Sequence, residues 1–207
     1  KDKITVSGYY SEKGRTVKDS FRVAVDLKPI HKFQLNFDAN GSTFDDGSNR
    51  NTVLFGYDEN KGTNFVTKGI YKDSANGLLN GRGGDYRYVG WNTRNDGTGV
   101  NYDGLTALNA LGQDNNVSVL TLYARWTTTV TFDAAGGTLA GGTYAAEQAL
   151  TGQASGSIAY NVNQKIATGL SATKPNYAFV TWNTNPDGSG TNLVDYGAIT
   201  KPVTFYA

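Results

Sequence analysis

The sequence predicts an α+β fold dominated by β-structure, in which a β-hairpin segment precedes two tandem modules. Three observations support this prediction: the composition, blocks of sequence that recur in the same order, and segments in which apolar and polar residues alternate. The 207 residues include 26 Gly, 13 Tyr, 9 Phe and 3 Trp. Aromatic residues favour strands and glycine favours tight turns, so the composition indicates many short strands.

The N-terminal segment, residues 1–31, is predicted to form a β-hairpin. Residues 4–6 (ITV) and 21–25 (FRVAV) are strand-like and flank a turn-like stretch at residues 11–15 (SEKGR). This segment matches neither of the two repeated copies described next. We therefore interpret it as a candidate tail of a preceding module.

The rest of the chain contains two diverged copies of one pattern. Three pairs of blocks recur in the same order: residues 37–43 (FDANGST) with 132–138 (FDAAGGT), 88–99 (YVGWNTRNDGTG) with 179–190 (FVTWNTNPDGSG), and 122–124 (LYA) with 205–207 (FYA). The order of the blocks indicates two copies of one structural unit rather than chance similarity of short motifs.

The blocks define the predicted module boundaries. Module 1 covers residues 32–126 and carries an insertion near residues 56–84, rich in Gly, Asn, Lys and Asp. Module 2 covers residues 127–207, and we expect it to be truncated at its C-terminal end, because copy one continues with Arg125 and Trp126. The junction is the short run Thr127 to Thr129, which predicts a stiff connection.

Alternation of residue types predicts the strands within each copy. Phe33, Leu35 and Phe37 share one face of a strand, and Val130 and Phe132 repeat this pattern in copy two. Further strands are predicted around residues 88–91 and 178–182, at 117–123 with 203–206, and at 158–162 in copy two. Pairs such as Asn-Gly and Asp-Gly supply the intervening turns. Helices are predicted at residues 143–150 (TYAAEQAL), capped by Thr143, and more weakly at residues 102–111.

The recurring blocks resemble the Listeria-Bacteroides repeat family, also called the internalin B B-repeat. Its pattern runs F-D-A-N-G-G-T, then G-Y-x-F-x-G-W with a polar D-G turn, then T-L-Y-A-x-W. The resemblance implies tandem β-grasp, ubiquitin-like modules on cell-wall-anchored or secreted bacterial proteins. Both copies are longer than a typical repeat, and Thr181 stands where the pattern has Gly.

The repeated aromatic residues are candidate core anchors of the two modules. They are Trp91, Trp182, Trp126, Tyr123, Tyr206, Phe37 and Phe132. Exposed rings could instead stack on sugars, but recurrence at equivalent strand positions favours burial.

No catalytic or metal-binding residues are predicted. The motifs Asp96-Gly97-Thr98-Gly99 and Asp187-Gly188-Ser189-Gly190 lack the alternating acidic ligands of a calcium loop, so we interpret both as turns. His31 is the only histidine, and no Ser or Thr stands in the context of a catalytic nucleophile. An isopeptide bond from a lysine such as Lys165 or Lys68 stays open, because the sequence indicates no partner for it.

These observations predict a non-enzymatic repeat region of an extracellular bacterial protein, typical of Gram-positive cell walls, acting as the stalk or display element of an adhesin. The alternative is a module that binds a host cell-surface protein or glycan through the insertion, with Tyr57, Phe65, Tyr71 and Lys68 as candidate contacts. A minor alternative is a fragment of a glycan-active enzyme.

Composition and charge narrow the expected partners. The 19 Lys and Arg residues nearly balance the 18 Asp and Glu residues, for a net charge of +1, so no overall field would attract nucleic acid. Cys is absent, which excludes disulfides and thiolate chemistry. No apolar run reaches the roughly 18 to 20 residues that cross a bilayer, so no membrane insertion is predicted. No cofactor is predicted, and we expect a monomeric fragment of a larger cell-wall-associated protein.

Overall fold

A computed structural model of the protein describes residues 2–25, 30–72, 77–102, 108–111, 113 and 118–207. Across these ranges the fold is dominated by β-strands, and most of them belong to one curled mixed sheet. The strands are β1 (Asp2–Glu12), β2 (Arg15–Val25), β3 (Ile30–Asp38), β4 (Arg50–Asp58), β5 (Thr63–Lys68), β6 (Arg87–Asn92), β7 (Asn101–Tyr102), β8 (Val119–Asp133), β9 (Thr138–Gly141), β10 (Ser155–Asn161), β11 (Leu170–Thr173) and β12 (Val203–Tyr206).

The N-terminal segment forms the predicted hairpin. β1 pairs antiparallel with β2, from Asp2 opposite Val25 to Glu12 opposite Arg15. The turn consists of Lys13 and Gly14, which have φ angles of 48° and 77°. Positive φ at both turn residues gives the twist that matches a two-residue hairpin. The hairpin is a separate sheet, and its assignment to a preceding module stays a prediction.

The central sheet has the strand order β5-β4-β3-β8-β6-β7. β3 pairs antiparallel with β4 on one side and parallel with β8 on the other. β8 also pairs antiparallel with β6. β3 and β4 thus form an antiparallel hairpin. After a long crossover the chain returns as β8, which lies beside β3 and runs parallel to it.

Strand β8 takes part in both repeats. At its C-terminal half it pairs antiparallel with β10 and parallel with β12. Asp133 lies opposite Ser155 and Tyr206, just as Asp38 lies opposite Arg50 and Tyr123. β8 is therefore the last strand of the first repeat and the first strand of the second. Residues 127–129, predicted as a short connection, lie inside this continuous strand.

Two hydrophobic clusters lie along β8. The first cluster, which we call the first core, includes Phe33, Leu35, Phe37, Phe44, Val53, Phe55, Trp91, Leu122 and Trp126. The second core includes Val130, Phe132, Leu139, Ile158, Ile166, Trp182, Ile199 and Phe205. Val162, which follows β10 in the sequence of the second repeat, is buried in the first core. The two cores are therefore distinct but share a boundary residue.

Helical structure is short and differs from the prediction. Helix α1 covers Ala145–Gln148, and its N-cap is Tyr144 without a side-chain cap. The predicted Thr143 cap is wrong, because the Glu147 carboxylate reaches back and accepts the Thr143 N–H at 2.7 Å. In the weaker candidate, residues 108–111 are helical and Tyr102 belongs to β7, while residues 103–107 lie outside the described ranges.

One predicted strand is absent from the described structure. Residues 178–182 were expected to form a strand like β6, but only the next residue, Asn183, makes bridges, to Tyr206 and Asn192. No described strand pairs with residues 178–182.

Candidate functional site

The joint between the two repeats is built from one continuous strand and from contacts that the second repeat makes with the first. β8 crosses it without a break, and the segment after β10 closes against the first repeat. The Val162 N–H donates to the Trp126 carbonyl at 2.9 Å. The Asn163 side chain donates to Asn40 Oδ1 at 3.1 Å and to the Asn95 carbonyl at 3.3 Å. Main-chain and side-chain contacts thus connect both sides of the joint.

Two further hydrogen bonds reinforce the joint. The Thr128 hydroxyl donates to the Asp85 carbonyl at 2.9 Å, and Thr128 is buried. The Tyr86 hydroxyl donates to the Thr200 carbonyl at 2.8 Å. Each links the first repeat to a residue beyond the predicted boundary.

The tryptophans lie inside the two cores. Trp91, Trp126 and Trp182 are 1%, 3% and 3% exposed, so none can offer a ring face to a sugar. Phe37 contacts Trp91 edge-on at a centroid distance of 4.9 Å, and Phe132 contacts Trp182 in the same way at 5.0 Å. Such edge-to-face pairs add stability beyond the buried area.

Two of the predicted core anchors, Tyr123 and Tyr206, lie outside both cores. Tyr123 and Tyr206 are half-buried and belong to neither core, in contrast to the prediction. Neighbouring residues of a strand point to opposite faces, and here Leu122 and Phe205 point inwards. The recurring Leu-Tyr-Ala and Phe-Tyr-Ala blocks therefore place their first and third residues on the core side.

Two buried asparagines organise the Asp-Gly turns, and sequence reasoning overlooked them. Asn183 Oδ1 accepts the Asn185 N–H at 2.8 Å, and its Nδ2 donates to the carbonyls of Gly188 and Gly190 at 3.1 Å. In the first repeat, Asn92 Oδ1 likewise accepts the Arg94 N–H at 2.8 Å and its Nδ2 donates to the Gly97 carbonyl at 3.3 Å. Asn92 Oδ1 also accepts the Gly99 N–H at 2.9 Å. Their recurrence directly after each tryptophan, as Trp-Asn-Thr, was the signal that could have identified them.

The aspartates of these turns are committed to the turn itself. The Thr98 N–H and hydroxyl both donate to Asp96, which lowers the pKa of that carboxyl. The Ser189 hydroxyl and N–H lower the pKa of Asp187 in the same way. Among the described residues no group of three or more His, Cys, Asp or Glu is placed to hold a metal ion.

The insertion divides its candidate ligand contacts between core and surface. Tyr57 is buried in the first core, and Tyr71 packs against that core, edge-on to Phe37 at 5.5 Å. Phe65 and Lys68 are exposed on β5, the edge strand of the sheet. The structure therefore brings together only Phe65 and Lys68 on an accessible surface, beside the exposed Val66.

A buried lysine fixes the insertion to the first repeat. Lys72 is 6% exposed and pairs with Asp45 at 3.1 Å and with Asp46. Burial alone would lower the pKa of Lys72, but its bonds to the two carboxylates raise it, and they lower the pKa of Asp46. Lys72 therefore holds the insertion to the first repeat through an ion pair with both aspartates.

His31 is partly buried on β3, where its ring pairs with Glu59. Within the part of the chain that the structure describes, no helix is long and apolar enough to cross a membrane.

Comparison with known proteins identifies the second repeat. Residues 129–207 match the sequence model of the Listeria-Bacteroides repeat domain. A search of curated proteins and a search of solved structures returned no match. The matched range begins inside β8 and ends with the chain, so it contains the second core and the Trp-Asn-Thr turn. For residues 129–207, this match supports the Listeria-Bacteroides repeat family that the recurring blocks predict.

Proposed function

We propose that the chain is a non-enzymatic repeat region of a bacterial cell-surface or secreted protein, and that it acts as a stiff stalk or display element of an adhesin. The repeat family is typical of bacterial surface proteins and is not an enzymatic family. A stalk needs length and resistance to bending more than it needs a chemical site.

The observation that carries this proposal is the continuity of β8. Its 15 residues run from the first repeat into the second without a turn. At roughly 3.3 Å per residue, such a strand spans on the order of 50 Å. Because both sheets hydrogen-bond to the same strand, bending at the joint would break ladder bonds on both sides.

We further propose that each repeat is a β-grasp-like module and that the boundary falls near residue 127. In each repeat a first strand pairs antiparallel with a later strand, β4 or β10, and parallel with the last strand, β8 or β12. In the second repeat the short helix precedes β10 instead of lying in the crossover to β12. The pairing supports the β-grasp proposal, whereas the helix position differs from ubiquitin-like modules.

Distance measurements by electron spin resonance can test the stiffness. The chain has no Cys, so Lys61→Cys and Lys201→Cys introduce two labelling sites, both at exposed positions on different repeats. We expect a narrow distribution of distances between the two labels.

The matched control inserts Gly-Ser-Gly-Ser between Thr127 and Thr128 in the same labelled chain. Near-ultraviolet circular dichroism checks that both repeats are still folded in this variant. We expect its distance distribution to broaden, because the linker is flexible. A wild-type distribution as broad as that of the insertion variant would rule out the stiff stalk.

A second candidate function is recognition of a host protein or glycan through the insertion. The supporting observation is β5, an edge strand that exposes Phe65 by 41% and Val66 by 43% beside Lys68. Edge strands with exposed apolar residues are favourable sites for pairing with another chain.

Binding of the intact chain to host-matrix proteins and glycans can be compared with that of Val66→Thr and Lys68→Glu. These positions are exposed, so neither change should affect folding. Loss of binding in both variants, with Lys201→Glu as a surface control, is the expected result. Equal binding by all variants would rule out this part of the insertion as the binding surface.

A further inference from the structure

A shallow groove of about 440 Å³ crosses the solvent-facing side of the sheet in the first repeat, opposite to the first core. Four neighbouring strands, β5, β4, β3 and β8, contribute to it. We call this surface the lysine groove. From β5 to β8 its lining includes Thr67, Lys68, Leu54, Lys32, Gln34 and Val119.

The strand register places four of these residues in one row across the sheet. Lys68 lies opposite Leu54, Leu54 lies opposite Gln34, and Gln34 lies opposite Val119. With neighbouring strands about 4.8 Å apart, the row spans roughly 14 Å at the backbone. The groove therefore offers a surface for an elongated ligand.

A β-bulge directs two consecutive side chains of β5 towards the groove. Val66 lies opposite Phe55 and Lys68 lies opposite Leu54, so Thr67 is an extra residue in β5. Bulges redirect the side chains of the strand that contains them. The Thr67 hydroxyl donates to the Leu54 carbonyl at 2.9 Å, which fixes the bulge. Thr67 and Lys68 consequently both line the groove, although they are neighbours in a strand.

The two lysines of the groove are exposed, and neither forms an ion pair with any residue in the described ranges. The acidic residues of β3, β4 and the turn after β4 face other cations instead. Those pairs are Asp38 with Arg50, Asp58 with Lys61 and Glu59 with His31. Lys32 and Lys68 therefore present two positive charges that no described carboxylate neutralises.

The position of the groove limits what can bind there. Main-chain groups of β3 and β4 pair with strands on both sides, so a ligand lying across this face meets mainly side chains. An added peptide strand needs main-chain partners, which the sheet offers at its edge, β5. The side chains available are two ammonium groups, the Gln34 amide, and apolar surface from Leu54 and from Val119, which is 57% exposed.

We propose that the lysine groove binds an oligosaccharide that carries carboxylate or sulfate groups. Lys32 and Lys68 would pair with its anionic groups, and the Gln34 amide would bond to its hydroxyls. Leu54 and Val119 would contact the apolar faces of the sugar rings. The proposal deepens the second candidate function and rests on it, because Lys68 belongs to the insertion, but it does not depend on the stiffness of the joint.

Titration calorimetry of the intact chain with four probes of similar length tests the ligand class. The probes are a heparin hexasaccharide, which is sulfated, a hexagalacturonate, which carries only carboxylates, the neutral maltohexaose and a hexaglutamate peptide. We expect binding of one or both acidic saccharides, which shows the anionic group that is recognised, and an affinity that falls with added salt. Binding of neither acidic saccharide, or equal binding of hexaglutamate, would overturn the proposal.

Exposed variants test the place of binding. Lys32→Gln and Lys68→Gln should each weaken binding of the acidic saccharide by about tenfold, because each removes a charge-assisted hydrogen bond. Lys201→Gln, an exposed lysine on the second repeat, is the matched control and should leave the affinity unchanged. An equal loss in Lys201→Gln would show unspecific charge attraction and overturn the proposal.

A further variant separates the groove from the edge of the sheet. Val66→Thr changes an exposed residue of β5 that does not line the groove, so binding of the saccharide should be unaffected. Binding that depends on Val66 and not on Lys32 would place the ligand at the edge strand. That outcome would refute the lysine groove and leave the second candidate function standing.

Discussion

Asn40 and Ala135 occupy the same position in the two repeats and differ in what they stabilise. Both have left-handed backbone conformations, with φ of 48° and 50°. Asparagine tolerates this conformation better than alanine does. The Asn40 side chain also donates to the carbonyls of Asn95 and Ala124 at 2.7 and 2.9 Å. Ala135 has no group that could make these bonds in the second repeat.

Replacing Ala135 by asparagine should therefore stabilise the second repeat. We expect Ala135→Asn to increase the free energy of unfolding by about 1 kcal/mol, from reduced strain and new hydrogen bonds. Asn40→Ala should decrease that of the first repeat by about 1 to 2 kcal/mol. Urea denaturation followed by tryptophan fluorescence measures both changes. Ala135→Gly is the control, because it relieves the backbone without the side chain; an equal gain there would exclude the hydrogen bonds.

Glu147 is a second residue whose environment predicts a measurable effect. Its side chain is fully buried and accepts the N–H groups of Thr143 and Gly169, at 2.7 and 3.1 Å. Burial alone would raise the pKa of Glu147, but these hydrogen bonds hold it below its ordinary value. The ionised carboxylate therefore connects two loops.

Acid should weaken the second repeat through Glu147. A carboxyl with a lowered pKa in the folded state stabilises the fold above its unfolded pKa, and this contribution is lost as pH falls through the folded pKa. We expect the urea midpoint of the second repeat to fall over this range. Glu147→Gln should lower the midpoint at neutral pH and make it less dependent on acid. An unchanged acid dependence in Glu147→Gln would show that other carboxyls cause it.

At the scale of single residues, sequence patterns predicted the burial of the tryptophans but not the position of every other aromatic side chain. Recurrence placed Trp91 and Trp182 at equivalent positions, and both are buried. The same recurrence included Tyr123 and Tyr206, which lie on the other face, because recurrence alone does not report side-chain direction. Tyr57 lies in the first core and not on the surface of the insertion, because it continues the inward alternation of β4.

At the scale of elements, β8 is the feature that sequence patterns described least well. Alternation predicted a strand on each side of residues 127–129, but three threonines in a row read as a polar connection. Threonine is a strand-forming residue, and tertiary pairing with β10 decides its conformation here. The N-terminal hairpin was easier to predict, because its turn residues and alternating strands are local signals.

A proline in β8 should affect both repeats. Thr128→Pro removes a main-chain N–H in the middle of the shared strand, and proline is not tolerated in central strands. We expect it to lower the thermal midpoints of both repeats, with faster hydrogen exchange in β3 and in β10. Thr128→Val is the matched control: it keeps the strand preference and loses only the hydroxyl bond to Asp85. Destabilisation confined to one repeat would contradict a strand common to both.

At the scale of the whole molecule, two cores are coupled through a few residues at their boundary. Val162 belongs by sequence to the second repeat, yet its side chain is 1% exposed in the first core. Asn163 beside it donates to two residues of the first repeat. The division into two copies was readable from the blocks, whereas this coupling depends on the path of a loop, which local patterns do not predict.

Removing the Val162 side chain should therefore destabilise the neighbouring repeat. We expect Val162→Ala to lower the free energy of unfolding of the first repeat by about 2 kcal/mol, the cost of a buried cavity. Hydrogen exchange of the β3 amides reports on the first core separately. Val203→Ala, at a partly buried position of the second core, is the control and should leave β3 unaffected. Faster exchange only in the second repeat would show that the cores are independent.

The alternation of buried and exposed residues along β8 restricts how many residues can separate the two cores. Leu122, Ala124, Trp126, Val130 and Phe132 are all buried and even-numbered, so both cores lie on one face of the same strand. Loss or gain of one residue between them would turn every later side chain of the strand to the opposite face. A change of two residues would preserve inside and outside. The distance between the two cores along this strand can therefore change only in steps of two residues without exchanging its buried and exposed faces.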